Sequence, residues 1–226
     1  MKINVVRKVL KANDIVAEKN REVFAKSGVL AINFISSPGS GKTTLLEKTI
    51  EKLLPELKSM ALVGDLETTR DADRLASNAL QVIQINTGMS CHLYANQITE
   101  SIKEMKLEKS DFLFIENVGN MVCPGEFDLG ENLKVILLSL PEGDDKVAKY
   151  PTIFRAADIV LLTKIDLAGV LNFKKEKVKE DLLKLNPGIK LIELSSLKGD
   201  GMEEWIEWLK EKRKNSLGTR AKFIPE

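Results

Sequence analysis

Short apolar runs alternate with longer amphipathic stretches along most of the chain. The first run, at 29–35, is almost continuously apolar, which is typical of a strand covered on both faces of its sheet. Further runs follow at 60–63, 81–85, 112–115, 135–140, 159–162 and 191–194. Stretches with helical periodicity separate most of them, at 43–54, 72–79, 93–105, 173–185 and 202–212. The alternation predicts an α/β fold with a mostly parallel, seven-stranded sheet and helices on both faces.

The two ends of the chain differ from this repeating pattern. Apolar residues before Gly28 recur on one helical face, and a glycine often follows the last turn of a helix, so we expect an N-terminal helix at 1–27. The last segment, 210–226, holds six basic and two acidic residues and predicts a basic, solvated tail that frays. No internal repeat or low-complexity linker divides the chain, so 1–226 is expected to be a single domain.

Composition and charge exclude several classes of protein. The chain has 34 Lys and Arg against 33 Asp and Glu, a net charge of +1, which argues against a large nucleic-acid surface. No apolar run approaches the ~20 residues that span a bilayer, so no membrane association is expected. Two cysteines and the lack of a signal-peptide core favour a reducing, cytoplasmic setting.

A glycine-rich loop carries the strongest chemical signal. Residues 36–44, Ser-Ser-Pro-Gly-Ser-Gly-Lys-Thr-Thr, follow a predicted strand and open a predicted helix. In a P-loop NTPase fold, backbone N–H groups from such a loop surround phosphate, the lysine reaches the β- and γ-phosphates, and the next hydroxyl binds Mg²⁺. The usual pattern begins with glycine, where this chain has Ser36. The alternative to a phosphate-binding loop is a plain glycine-rich turn. We predict nucleotide binding by Gly39, Ser40, Gly41, Lys42, Thr43 and Thr44.

Acidic residues follow the second predicted strand. Asp65 stands at the strand end, and a carboxylate beside a phosphate loop can hold Mg²⁺ directly or through water. Asp71 lies six residues further along and could belong to a switch loop, although Asp71 and Asp73 could equally cap the next helix. Together with Lys42, Asp65 and Asp71 are the predicted catalytic residues, and Thr43, Asp65 and Asp71 the predicted Mg²⁺ ligands.

The fourth predicted strand ends in Glu-Asn-Val-Gly-Asn, residues 116–120. Glu116 and Gly119 are predicted to contact nucleotide, with the Gly119 N–H directed to a γ-phosphate and the segment responsive to nucleotide state. No glutamine follows this glycine to orient water, and no arginine finger is evident. Hydrolysis by the lone chain is therefore expected to be slow.

A base-recognition signal follows the sixth predicted strand. In Thr163-Lys164-Ile165-Asp166, the Asp166 carboxylate can accept from N1–H and the 2-amino group of guanine, while adenine would leave it unpaired. The Lys164 stem can cover the base. Thr163 replaces the asparagine usual in GTPases. Ser195 and Leu197, after the last strand, are predicted to support the base, although a polar turn explains their spacing equally well. We expect GTP or GDP to bind.

The one histidine and both cysteines of the chain fall in two predicted loops. The single histidine and one cysteine are adjacent, as Cys91-His92, and the second cysteine, Cys123, follows the neighbouring strand end. Each alone is more often an ordinary packed residue, but their convergence predicts a metal site for Ni²⁺ or Zn²⁺. We expect a lowered pKa for Cys91 at the start of the helix that begins at 93. Three ligands leave a fourth position for water or for a second subunit.

Taken together, these motifs resemble the nickel-insertion GTPases of [NiFe]-hydrogenase maturation, the HypB-like family of the SIMIBI class of P-loop GTPases. The similarity covers nearly the whole chain and includes the segments 10–21, 36–44, 86–92, 114–124, 142–145 and 163–166. The Cys-His pair with the later Cys-Pro is its distinguishing motif, whereas the related urease-maturation GTPases carry Cys-Pro-His, which this sequence lacks.

The resemblance implies a GTP-hydrolysing metallochaperone that dimerises with GTP through the face carrying Cys91, His92 and Cys123. Its implied partners are a hydrogenase accessory protein and the hydrogenase large-subunit precursor. Three alternatives stay open: a non-catalytic, nucleotide-gated assembly scaffold with a structural metal, a urease-type nickel accessory GTPase, and a small-molecule kinase. The Lys164–Asp166 element argues against the kinase because a kinase should prefer ATP.

Overall fold

A computed structural model describes residues 5–65 and 69–220, and within these residues the predicted sheet is confirmed. Its seven strands are all parallel. They are β1 (Leu30–Ser36), β2 (Ser59–Asp65), β3 (Val82–Asn86), β4 (Phe112–Glu116), β5 (Leu133–Ser139), β6 (Ile159–Thr163) and β7 (Lys190–Leu194).

The order of the strands determines where a ligand can bind. Across the sheet the order is β3-β2-β4-β1-β5-β6-β7, so β1 lies between β4 and β5. After β1 the chain crosses to β2, on one side of β1, and after β4 it crosses to β5, on the other side. A crevice therefore opens at the carboxyl ends of the central strands, where parallel α/β sheets bind their ligands.

Helices cover both faces of the sheet. They are α1 (Val5–Ser27), α2 (Lys42–Leu53), α3 (Arg70–Leu75), α4 (Ala95–Ile102), α5 (Lys146–Lys149), α6 (Pro151–Arg155), α7 (Lys175–Leu185) and α8 (Met202–Arg220). None in the described part of the chain has the length and apolar character that a bilayer crossing requires.

The buried side chains form one core on one face of the sheet and two on the other. Helices α2, α3 and α8 pack on the first face, where Trp205 is fully buried and its indole donates to Thr49 Oγ1 at 2.9 Å. On the second face, α1 and α4 cover one half through Phe24 and Ile98. Helices α6 and α7 cover the other half through Phe154 and Leu182. Because both faces are covered, the strands carry near-continuous apolar sequences.

Several helix limits differ from the expectation. Helix α4 begins at Ala95 rather than at 93, α3 ends at Leu75, and the short helices α5 and α6 have no counterpart in the predicted pattern. Helix α8 continues through Arg220, so the described part of the predicted tail is helical, while 221–226 lie outside the described residues. Within this extension Arg213 is buried and donates to Asp111 Oδ1 and to the Gly28 carbonyl, which fixes the helix beyond 212 to the rest of the fold.

Candidate nucleotide and metal site

The glycine-rich loop connects β1 to α2 at the central crevice. Gly39 and Gly41 have φ angles of 74° and 98°, which side chains rarely adopt, so glycine lets the backbone curl around an anion. The loop lines a cavity of about 530 Å³ together with Asp65, Asp71 and Glu116. Gly119 lies against the loop so closely that a Cβ there would be 3.0 Å from the Pro38 Cα atom.

Ser36, the departure from the usual pattern, has a structural role. Its hydroxyl accepts a hydrogen bond from Lys42 Nζ at 2.9 Å and pairs with the hydroxyl of Ser40. Burial lowers the pKa of Lys42. A bound polyphosphate would supply negative charge beside this buried ammonium group and so stabilise its charged form.

Hard oxygen donors gather beside Lys42. Thr43 Oγ1 donates to Glu116 Oε1 at 2.7 Å, and Asp65 and Asp71 line the same cavity. Burial raises the pKa of Glu116 to about 7, and its Oε2 has no hydrogen-bond partner among the described residues. Mg²⁺ prefers oxygen ligands, and these side chains offer several of them around a buried carboxylate oxygen that has no hydrogen-bond partner in the part of the chain that the structure describes. The residues therefore fit this ion.

The two predicted acidic residues occupy different elements. Asp65 ends β2, whereas Asp71 lies in the first turn of α3, with Asp71 Oδ1 3.9 Å from Arg74 Nη1. At the start of α3 the N-cap residue Thr69 makes no side-chain cap hydrogen bond within the described residues, and Asp71 lies inside the helix. Asp73 Oδ2 instead accepts from the Thr69 hydroxyl at 3.1 Å.

A second cavity, of about 350 Å³, adjoins the first and has a largely apolar lining. Asp166 lines it and accepts from Ser195 Oγ at 2.6 Å, while Leu197 is exposed beside them. Lys164 adopts φ 60°, uncommon for a residue with a Cβ, and its Nζ donates to the Gly39 carbonyl at 2.6 Å. Thr163 Oγ1 donates to the Ser40 carbonyl at 2.9 Å, so the hydroxyl that replaces asparagine braces the phosphate loop.

The three soft ligands come together at the same edge of the sheet. Cys91 follows β3 and Cys123 follows β4, with their Sγ atoms 2.8 Å apart and both thiols free. His92 Nδ1 lies 3.5 Å from Cys91 Sγ, and one donor atom from each residue lies within 4.8 Å of the others. Donors at 2.0–2.3 Å from one ion lie within roughly 4 Å of one another, so small side-chain movements suffice to bind Ni²⁺ or Zn²⁺.

Aromatic rings hold the histidine in this orientation. His92 is buried, with its ring 3.9 Å from the Phe127 ring and 4.3 Å from the Tyr94 ring, measured between centroids. Its Nε2 is buried without a hydrogen-bond partner in the described part of the chain, whereas Nδ1 faces Cys91. Burial lowers the pKa of His92, so the imidazole is held in the neutral form that binds metal.

The expected low pKa of Cys91 is wrong. Its hydrogen bond to Cys123 and its partial burial raise the pKa of the thiol. The helix that should have lowered this pKa begins only at Ala95, and the dipole effect fades within one turn. Metal binding at this pair would therefore release protons.

Two residues at the site carry no signal in the sequence. Arg74 lines the phosphate cavity and donates to Thr44 Oγ1 at 3.0 Å and to Glu47 at 2.6 Å, but it resembles any other charged residue of an amphipathic helix. Asn117 lies inside the segment 116–120, yet its hydrogen bonds reach Leu93, in the loop after β3, and Asn33, in β1, both far away in the chain.

Comparison with known proteins places these features in a family. Residues 30–193 match the model described as "CobW/HypB/UreG, nucleotide-binding domain". The chain belongs to the CobW/HypB/UreG family. Over 225 residues it is 44% identical to the hydrogenase/urease maturation factor HypB of Helicobacter pylori, covering 98% of this chain and 92% of that protein.

Two solved HypB structures share the fold of this family member. HypB from Helicobacter pylori in complex with nickel superposes with a TM-score of 0.85 at 46% identity, over 90% of this chain and 96% of that chain. HypB from Archaeoglobus fulgidus also gives a TM-score of 0.85, at 43% identity, over 90% of this chain and all of that chain. The predicted family and fold are thus confirmed.

Proposed function

We propose that this chain is a GTP-hydrolysing metallochaperone that binds Ni²⁺ and supports its insertion into the large subunit of [NiFe]-hydrogenase. The observation that carries the proposal is the convergence of Cys91, His92 and Cys123 beside a phosphate cavity. The nickel complex of HypB from Helicobacter pylori supports nickel as the cargo, while the donor set would also accept Zn²⁺.

The nucleotide would occupy both cavities, with its phosphates in the larger and guanine in the smaller. Lys42 would bind the β- and γ-phosphates, and Gly119 would offer its N–H to the γ-phosphate. Thr43, Asp65 and Asp71 would hold Mg²⁺, which neutralises charge on the phosphates when bound. The proposed base contact is made by Asp166, which Ser195 orients through its 2.6 Å hydrogen bond.

The remaining parts of the proposal concern assembly. The incomplete ligand set favours a GTP-dependent homodimer in which a second copy completes the metal coordination. The whole chain, 1–226, would act as one GTPase domain in the cytoplasm, with a hydrogenase accessory protein and the large-subunit precursor as partners. The name of the Helicobacter pylori relative also includes urease, so a urease-type recipient is the matching alternative.

The first experiment measures metal binding and mass together. Equilibrium dialysis with Ni²⁺ or Zn²⁺ and light scattering would compare the wild type with Cys91→Ala, in GDP and in a non-hydrolysable GTP analogue. We expect about half to one ion per chain, lost in the variant, with dimers favoured by the GTP analogue. Metal binding that is the same in the wild type and in Cys91→Ala, and the same with GDP and with the GTP analogue, would refute metal delivery.

One observation favours a second candidate, a non-catalytic scaffold gated by nucleotide. Asn120, which follows Gly119, donates to the Cys91 carbonyl at 3.3 Å and accepts from the Val122 N–H at 2.8 Å, so both ends of its carboxamide are already paired within the chain. A multiple-turnover GTP hydrolysis assay separates the candidates. Turnover by the wild type that is abolished in Lys42→Ala would show that the chain is an enzyme.

A second experiment tests recognition of the base. Asp166→Asn should shift the nucleotide preference from GTP to xanthosine triphosphate, and an unchanged preference would refute guanine recognition.

A further inference from the structure

One buried carboxamide touches both functional loops. Asn117 is 1% exposed, and its Oδ1 accepts hydrogen bonds from Leu93 N–H at 3.1 Å and from Val118 N–H at 3.0 Å. Leu93 directly follows His92, and Val118 directly precedes Gly119. A single oxygen atom therefore links the backbone of the metal-binding loop to the backbone of the segment that lines the phosphate cavity.

The other end of this carboxamide is also fixed. Asn117 Nδ2 donates to Asn33 Oδ1 at 3.2 Å, and Asn33 Nδ2 donates to Glu131 Oε1 at 3.1 Å. Glu131 Oε2 in turn accepts from the Leu129 N–H at 2.7 Å. Rotation of Asn117 would leave buried polar groups unpaired, which is unfavourable because such groups have no water to replace the lost partner. The side chain must therefore move together with its backbone.

The segment around Asn117 is held against the nucleotide loop on both sides. Glu116 accepts from Thr43, and Gly119 packs against Pro38 with no room for a Cβ. A triphosphate or Mg²⁺ that displaces this segment consequently displaces Asn117. Packed and hydrogen-bonded groups of this kind transmit a shift because they cannot absorb it locally.

We propose that Asn117 is the positioning residue that couples nucleotide state to metal affinity. Movement of residues 116–119 passes through Asn117 Oδ1 to the Leu93 N–H, and so changes how Cys91 and His92 face Cys123. By linkage, metal at these ligands changes the affinity for nucleotide by the same factor. The inference rests on the proposed function, since it requires that both ligands bind.

The test measures Ni²⁺ affinity by competition with a chromophoric chelator, in Mg²⁺–GDP and in a non-hydrolysable GTP analogue. The wild type should show affinities that differ about 5-fold or more between the two nucleotides. Asn117→Ala should bring this ratio to within about 2-fold of unity while Ni²⁺ and GDP still bind. Asn132→Ala is the control, because it removes an exposed carboxamide that accepts from the Ala31 N–H at 2.8 Å and has no side-chain hydrogen bond to either functional loop among the described residues.

The outcomes separate the inference from the proposed function. A folded Asn117→Ala chain that keeps the wild-type ratio, or that weakens metal equally in both nucleotides, overturns the coupling role. A wild-type ratio of one also overturns it, although nickel and nucleotide binding would stand. Absence of Cys91-dependent nickel binding in the wild type would instead refute the proposed function.

A second measurement needs no variant. Amide hydrogen exchange at Leu93 in the nickel-free wild type should differ between GDP and the GTP analogue, because its N–H reports the bond to Asn117. Exchange at Ala31, whose N–H is held by Asn132, should stay constant. Unchanged exchange at Leu93 would overturn the proposal even if Asn117→Ala fails to fold.

Discussion

At the scale of single residues, burial determines the protonation state of the phosphate site. Glu116 and Lys42 both lie in the cavity wall, and burial raises the pKa of the acid and lowers that of the base. In both groups burial disfavours the charged form relative to the neutral one. Ligands that bring the complementary charges, a divalent cation and a polyphosphate, remove the two penalties together, so each is expected to favour the binding of the other.

Glu116 makes stability depend on pH in a defined direction. The folded chain holds a proton on this carboxyl up to about pH 7, whereas the unfolded chain releases it near pH 4.5. Stability therefore falls as pH rises through that window, by at most about 3 kcal/mol. Urea unfolding of the ligand-free wild type and of Glu116→Gln, from pH 4.5 to 8, should show the wild type losing stability relative to the variant. Parallel curves would contradict this assignment.

At the scale of elements, α8 shows how one charged residue fixes the end of a helix to the fold. The apolar pattern ends at 212, but Arg213 lies against the sheet and donates to Asp111, which also accepts from the Lys58 N–H at 2.9 Å. The same guanidinium reaches the Gly28 carbonyl at the end of α1. One side chain thus ties α8 to the start of β1 and to the loop before β4.

Removal of this side chain should destabilise the fold. Arg213→Ala leaves the Asp111 carboxylate and the Gly28 carbonyl without these partners, so we expect a loss of about 2–3 kcal/mol in the free energy of unfolding. Lys214→Ala, at the exposed neighbouring position, should change it by less than about 0.5 kcal/mol. Urea denaturation measures both, and equal effects would show that the contacts of Arg213 contribute nothing specific.

At the scale of the whole molecule, ligand binding and folding are one linked equilibrium. The phosphate cavity is lined by the glycine-rich loop and by residues of β2, β4, α2 and α3, which are brought together only in the folded chain. A nucleotide that binds this state alone stabilises it by about 2.7 kcal/mol at one hundred times its dissociation constant.

Mg²⁺–GDP should therefore raise the melting temperature of the wild type. Lys42→Ala should lose this increase, because it removes the cation that faces the phosphates, whereas Lys48→Ala should keep it. Lys48 lies on the same helix but is exposed and pairs with Glu51 at 2.7 Å. Thermal unfolding monitored by circular dichroism gives the comparison. An equal rise in both variants would contradict the role of Lys42.

The sequence by itself determined the sheet and the family, and it predicted where both sites lie. Apolar runs identify the strands because burial on both faces demands them, and the segments 36–44 and 163–166 carry their chemistry within a few consecutive residues. Such local signals need no knowledge of distant contacts. The helices α5 and α6 escaped detection because they are too short for a clear period.

Only the tertiary structure decided which distant side chains meet. The pKa of Cys91 follows from Cys123 rather than from a helix end, and the attachment of α8 beyond 212 follows from Asp111 and Gly28. Asn117 likewise gains its role from Leu93 and Asn33, which come from different loops and strands. Contacts between residues far apart in sequence depend on strand order and packing, and no local pattern of residue types encodes that geometry.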